Sequence, residues 1–455
     1  MTVVRRVGTS KLTAPALTQA DVEALSAARH EPKWLAESRL AAWELYTDMP
    51  MPSLKAEEWR RTDYTKIKWE TASPLAYKSD SVAGFDAIPT QHREPLIGDR
   101  QGGLIAAVDG NIVHSELSDE LKAQGVIFTD LDTAIREHEA LVRPQLMTKA
   151  VKPGDGKFAA LQAALWTQGT FLYVPKGVKV KLPLHSVFYN TTAGMTLGHI
   201  LVVLEDEAEA IYLHEYLSVP TVTADASYVG ATEILLGNYA DLKYVSLQDW
   251  GRNVYDFRHE RGRVGEHGKL DWVMGTMGSK LTKDFTEIEL DGEFSWGRMS
   301  ALYFADNEQL FDHDTQQNHN APHTTSDLLF KGALKDQAKT VWQGMIKVLP
   351  NAQKTDGYQA NRNLVLSNQA RADSIPGLEI EANDVRCTHA ATVGKLEAEP
   401  IFYLMSRGMT RADAERLIVV GYFDPIMDRI PFEEVKRRLQ EHIQVKLESR
   451  VEMYA

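Results

Sequence analysis

The chain has 455 residues, a formal net charge of −13, 44% hydrophobic and 25% charged residues. That length exceeds one ordinary compact core and points to several domains or one elongated solenoid, while the composition excludes large-scale disorder. The acidic balance disfavours nucleic-acid backbones, and one cysteine allows no intramolecular disulfide.

No run of about 18 apolar residues occurs, so no membrane-spanning helix is expected. Arg5-Arg6 is not followed by an apolar export core, so a twin-arginine leader is rejected and a cytoplasmic location is expected. Residues 1–100 read as an N-terminal helical region with a linker. Thr18 can cap a helix over Gln19–Ala28, with Asp21 as its capping-box partner. Pro32 can open a second helix, in which Trp34, Leu35, Ala41, Ala42 and Leu45 recur at helical spacing before Pro50 and Pro52 end it. Residues 71–103 are rich in Ser, Pro, Asp and Gly and read as loop. Residues 101–168 form a mixed entry region, with helices expected over 132–147 and 156–166.

Over 169–395 short β-prone runs follow one another, such as Phe171-Leu172-Tyr173-Val174. A turn motif led by leucine recurs at Leu204, Leu236, Leu290, Leu334 and Leu366, with a degenerate copy at Leu349. The last three copies in the chain, Leu334, Leu349 and Leu366, are spaced 15 and 17 residues apart. Repetition of this kind predicts stacked coils, a parallel β-helix, with an irregular β-sandwich as the competitor. Asp, Asn or Gly at the third motif position suits a left-handed backbone. Residues 396–455 return to helix. Ile401, Leu404 and Met405 form a stripe ending at Gly408. Thr410 and Asp413 cap a helix with Leu417 and Ile418 inward, and Pro431 opens a last helix with Phe432, Val435, Leu439 and Ile443 on one face. Lys436-Arg437-Arg438 reads as a solvated face.

No Walker A pattern or Gly-x-Gly-x-x-Gly fingerprint is present, so any ATP hydrolysis belongs to another subunit. His313, His319 and His323 crowd one segment beside Asp312 and Asp314. On a strand His313 and His319 share a face, which suits either metal ligation or hydrogen-bonded histidines. Cys387 and His389 form a Cys-x-His pair, able to supply two ligands to iron, zinc or a cluster, with the rest of the set from elsewhere. A buried thiol and a Cys-His nucleophile are the other readings.

Several runs then resemble the SufB/SufD family of iron–sulfur cluster assembly proteins. They are Glu57-Glu58-Trp59-Arg60-Arg61-Thr62-Asp63-Tyr64, His319-Asn320-Ala321-Pro322-His323, Gln359-Ala360-Asn361-Arg362-Asn363 and Asp384-Val385-Arg386-Cys387-Thr388-His389. The Glu-Glu-Trp-Arg run is similar to SufD-type members. Ala372-Asp373-Ser374 stands where SufB-type members carry Cys-Asp-Ser.

The resemblance implies a mainly β fold, a right-handed parallel β-helix flanked by N- and C-terminal helical regions. It implies a non-catalytic scaffold subunit in a complex with SufB and the SufC ATPase. The last strands would pair with SufB, and residues 397–428 would dock on SufC. A nascent iron–sulfur cluster would be shared with the partner through His389 and Cys387, and a reduced flavin would belong to the whole complex. A homodimer could form without SufB. A SufB-type paralogue, or a stand-alone β-helix enzyme acting on a polymer, are the alternatives.

Overall fold

The computed structural model describes residues 16–67, 83–94, 96 and 100–448. Arg5-Arg6 and about half of the 71–103 stretch lie outside the described residues. The chain opens with helices α1 (Gln19–Ala28) and α2 (Lys33–Asp48). Thr18 caps α1 as expected, with its backbone N–H and hydroxyl both donating to Asp21 at 2.8 Å. Strands β1 (Gly103–Val108) and β2 (Asn111–Leu117) pair antiparallel, and α3 (Asp119–Ala123) and β3 (Ile127–Asp130) follow.

The helix expected over 132–147 is instead two short pieces, α4 (Leu131–Glu137) and α5 (Glu139–Val142). His138 breaks it at φ −132°, ψ 36°, and Pro144 prevents continuation. Asp130 moves the start upstream by accepting the Thr133 N–H at 2.9 Å. Helix α6 (Lys157–Leu165) lies where a helix is expected and is buried throughout.

The coils then run β4 (Gln168–Val174), β5 (Leu184–Asn190), β6 (Met195–Leu204), β7 (Glu209–Ser218), β8 (Ala226–Leu236), β9 (Asp241–Asp249), β10 (Val254–Val264) and β11 (Lys269–Thr276). They continue as β12 (Leu281–Leu290), β13 (Trp296–Ala305), β14 (Leu310–His319), β15 (Thr325–Leu334), β16 (Lys339–Val348), β17 (Asp356–Val365), β18 (Arg371–Ile380) and β19 (Arg386–Lys395). Alternate strands join two facing sheets, one ordered β19-β17-β15-β13-β11-β9-β7-β5-β1-β2, the other β18-β16-β14-β12-β10-β8-β6-β4-β3. All pairings from β4 onward between coils are parallel and in register. Thr325 faces Asp356 and Asp356 faces Arg386, so these late coils take 31 and 30 residues, while Tyr255 facing Leu281 and Lys339 facing Arg371 give coils of 26 and 32. The leucine spacing of 15 and 17 is therefore half a coil, one strand with its turn.

Inward side chains fill the space between the sheets, including Tyr212, Tyr244, Trp272 and Trp342. The outer faces are covered too, which is why β8 is buried along its whole length. Helices α1, α2 and α6 cover the nine-stranded sheet. Helices α7 (Ala398–Ser406), α8 (Arg411–Met427) and α9 (Glu433–Glu448) lie at the other side, and the second half of α8 and α9 cover the ten-stranded sheet.

The Glu57–Tyr64 run clasps the N-terminal region onto the solenoid. Trp59 packs among Phe158, Phe257, Phe285 and Tyr64 with centroids 5.4–6.3 Å apart. Burial of such a side chain is worth about 3–5 kcal/mol on truncation. The Thr62 hydroxyl donates to Asp312 and the Arg61 guanidinium to Glu57 at 2.9 Å.

Left-handed backbone does not sit regularly at the third motif position. It falls there at Asp336 (φ 59°), but at the fourth residue in Glu207 and Tyr239 and the fifth in Phe294. The third residues Asp206 and Asn238 do something else. Each accepts a backbone N–H from the next coil's turn, Asn238 to Asp206 and Glu266 to Asn238, both at 2.9 Å.

Candidate functional site at the open end of the solenoid

The two ends of the solenoid differ. At the first coils the edge strands β2 and β3 run antiparallel to their neighbours, and Leu117, Leu121, Val126 and Phe128 around α3 fill the interior between the sheets. At the other end β18 and β19 are edge strands, each paired on one side only. Trp342, Ile346 and Val348 of β16 are buried in the interior, and their register partners on β18 are Ser374, Leu378 and Ile380. Yet Leu378 and Ile380 are 38% and 40% exposed, and Val393, register partner of the buried Asn363, is 53% exposed. The last coil thus shows solvent the side chains that earlier coils keep inside.

Cys387 and His389 belong to this inward file. Cys387 faces Gly357 and His389 faces Gln359, whose side chain is wholly buried. Gln359 is held by donating Nε2 to the carbonyls of Gly377 (2.9 Å) and Gly344 (3.4 Å). The Cys387 sulfur packs beside the Ile346, Val348, Ala352 and Ala382 cluster, and burial raises its thiol above the ordinary value. His389 is exposed and makes no hydrogen bond or ion pair among the described residues. Around the rim, Arg386 pairs with Asp356 at 2.8 Å, Lys347 with Glu379 at 2.7 Å, and Lys354 with Asp384, tying the last coil to the one before.

The three histidines of 313–323 do not converge. His313 is buried in the interior with Nδ1 2.9 Å from Asp284, which also takes the Arg258 guanidinium at 3.1 Å. His319 is held between the Thr324 hydroxyl (2.7 Å) and the Ser326 hydroxyl (2.8 Å), and burial lowers its pKa to about 4, keeping it neutral. His323 lies in a turn, stacked on Phe294 at 4.8 Å. Strand β14 ends at His319, so His323 is off the strand face that would have aligned it. Among the described residues no group of three or more His, Cys, Asp or Glu is placed to hold a metal ion. One of the three does approach the Cys-x-His strand. A Cβ built on Gly357 would lie 3.3 Å from the Cys387 sulfur and 3.5 Å from His319 Nε2, so both side chains border the same small space.

The described residues 187–422 match the family model for the SUF system FeS cluster assembly SufBD core domain, and residues 21–185 match the SufBD protein N-terminal region. The iron–sulfur cluster assembly protein SufD of Bacillus subtilis is 33% identical over 434 residues, covering 94% of this chain and 97% of the relative. An iron–sulfur cluster assembly SufBD family protein of Staphylococcus haemolyticus is 30% identical over 431 residues, 92% and 90% of the two chains. The chain belongs to the SufBD family.

In this SufBD chain the C-terminal helices leave a second unusual surface. Gly408 follows α7 at φ +93° as the sequence suggests, and Thr410 caps α8 by accepting the Asp413 N–H at 3.1 Å. Ile401 is buried, but Phe402 and Tyr403 are 73% and 56% exposed. Leu417, expected inward, is exposed as well; the buried side of α8 is set by Ala414, Val419 and Phe423.

Arg438 is not part of a solvated face. It reaches the buried Glu215 on β7 at 3.1 Å, which also contacts His92 (2.8 Å) and His185 (2.9 Å). Burial opposes ionisation of Glu215, but Arg438 and His92 outweigh it and hold the carboxyl well below the usual range. No sequence signal marks this cluster, because its members come from four separate segments. Lys436 and Arg437 do pair only with neighbours on the solvent side of α9.

Proposed function

We propose that this chain is a scaffold subunit of an iron–sulfur cluster assembly complex. Its open solenoid end pairs with a SufB subunit, and α7 with the first half of α8 docks on the SufC ATPase. Family membership supports assembly as the process. The observation that carries the pairing is the exposure of Leu378, Ile380 and Val393 on the inward file, beside two strand edges with free hydrogen-bonding groups. A second β-solenoid end of the same dimensions would bury all of these at once.

Within that junction His389 is the residue offered to the nascent cluster. It is exposed, unengaged, and two residues along the same face from Cys387. The chain supplies too few ligands for a complete site, so the remaining ones come from the partner. The raised thiol makes Cys387 the weaker candidate, since the thiolate is the ligating form.

The test is His389→Ala in the chain co-expressed with its SufB and SufC partners. Cluster content of the purified complex is expected to fall on the order of tenfold or more, with subunit stoichiometry unchanged. Full cluster content in the variant would remove His389 from the assembly site.

A further inference from the structure

We propose that Lys331, Arg362 and Thr392, side by side on the outer face of the last coils, form a binding site for a phosphate-type oxyanion, either free or as a monoester. The site uses neither the inward file nor α7, so it stands or falls apart from the function proposed above.

The site follows from what the interior leaves over. In the Gln359–Asn363 run alternate side chains point inward. Gln359, Asn361 and Asn363 are buried, with Asn361 donating to the Tyr303 hydroxyl at 2.8 Å and Asn363 to Asn361 at 2.7 Å. Arg362, between them, points outward and is exposed. On β15 the same alternation gives Gly332 to the interior, where a Cβ would fall 2.0 Å from the Tyr303 ring, and Lys331 to the outside. Lys331 and Arg362 are register partners, and Thr392 is the partner of Arg362 on β19. Paired strands lie about 4.8 Å apart, so the three side chains leave one face of the sheet as a row.

Cations in adjacent register positions repel unless a carboxylate lies between them. Among the described residues no carboxylate pairs with either one. Lys331 is only 6% exposed, yet its ammonium meets the Tyr422 carbonyl at 2.5 Å and the Tyr422 ring at 4.5 Å, with no counter-charge. Burial lowers its pKa, and Arg362 lowers it further; Asp424, exposed on α8, pulls the other way less strongly. The Arg362 guanidinium makes no hydrogen bond or ion pair among the described residues. The chain carries 63 acidic side chains against 50 basic ones, so a buried ammonium and a neighbouring guanidinium without an acid between them stand out. A buried charge is costly until it is paired, and an incoming anion supplies the missing partner to both.

Tyr422 presents the pair. Its carbonyl fixes Lys331, and its hydroxyl donates to the Arg362 carbonyl at 2.6 Å. Val419 and Phe423 on either side of it are buried against the ten-stranded sheet and hold it there. The guanidinium fork offers two parallel N–H donors, the ammonium keeps donors beyond the one given to Tyr422, and exposed Thr392 adds a hydroxyl. Two positive charges and this set of donors match the charge and the several oxygens of a phosphate better than a single carboxylate.

Isothermal titration of the full chain at constant ionic strength, with inorganic phosphate, phosphoserine and acetate as probes, tests the site. Phosphate or phosphoserine is expected to bind one to one, and acetate on the order of tenfold more weakly. Tighter binding of phosphoserine assigns the site to a peptide-borne phosphate, and tighter binding of inorganic phosphate to the free ion. Arg362→Gln, at an exposed position, and Lys331→Met are each expected to weaken phosphate binding on the order of tenfold or more. Lys33→Gln, at a solvent-exposed position on α2, should leave it unchanged. Equal phosphate affinity in the wild type and Arg362→Gln overturns the site, as does an equal loss in Lys33→Gln, which would mark a general field effect. Acetate binding as tightly as phosphate overturns the ligand class. Failure of the wild type to bind phosphate or phosphoserine overturns the proposal without recourse to any variant.

Discussion

Lys283 lies buried between Asp312 (3.0 Å) and Asp314 (3.1 Å) beneath the Trp59 clasp. Burial pushes the Asp314 carboxyl up to about 6, against the pull of Lys283. A raised carboxyl favours the folded state only while protonated. That contribution is full below the ordinary carboxyl range and is lost as pH rises through about 6. Asp314→Asn should therefore raise the unfolding midpoint at pH 7.5, by roughly 1 kcal/mol, and change it little near pH 4, as thermal melts at the two pH values would show. At this scale the sequence is readable where partners are close along the chain. Thr18 with Asp21, Thr410 with Asp413, and Gly408 at the end of α7 are all local. Lys283 and Glu215 are illegible because their partners are far away in the chain and neighbours only across coils or packed helices.

The turns make a ladder of rings. Tyr239, His267, Phe294 and His323 occupy left-handed positions in successive coils, with centroids 4.7, 4.8 and 4.8 Å apart. That distance is the spacing of paired strands, so any ring placed at this corner stacks on the next. Stacking offsets the cost of holding non-glycine residues at positive φ. Phe294→Ala keeps the backbone cost and loses two stacks, and should lower stability by about 1 kcal/mol. Phe294→Gly should lose less, because glycine is free at φ 61°. Equal losses in denaturant titrations would show that the backbone cost is not what the rings offset. Leucine-led turns announced the half-coil in the sequence, but not which turn residue would be left-handed. That position follows from where Asp206 and Asn238 must reach the adjacent coil. The interrupted helix over 131–142 was hidden for a similar reason: apolar spacing continues through His138 while the backbone does not.

Across the whole molecule, nearly every inward or outward sheet face is covered except at the last coil. Val393→Glu or Leu378→Glu would place a charge on a surface already wet in the isolated chain, leaving its unfolding midpoint unchanged. Under the pairing proposed above, the same charge would be buried without a partner, at a cost of about 3–5 kcal/mol, enough to weaken pairing a hundredfold or more. Gel filtration of the co-expressed complex would show SufB released. Retention of SufB would place its contact elsewhere. The solenoid and its order of regions are legible from turn repeats and family motifs. The openness of one end is not, because Leu378 and Val393 read in sequence like any other inward residue; only the absence of a following coil exposes them.

The closed first coil has a consequence for stoichiometry. A chain with two open ends could add neighbours without limit, as fibril-forming strands do. Here Leu117, Leu121, Val126 and Phe128 fill the interior at the first coil, so among the described residues the last coil is the end that opens its inward file to a neighbour. Junctions between open ends are consumed in pairs. If that file is the joining surface, as proposed above, joining through it stops at two chains and makes no polymer.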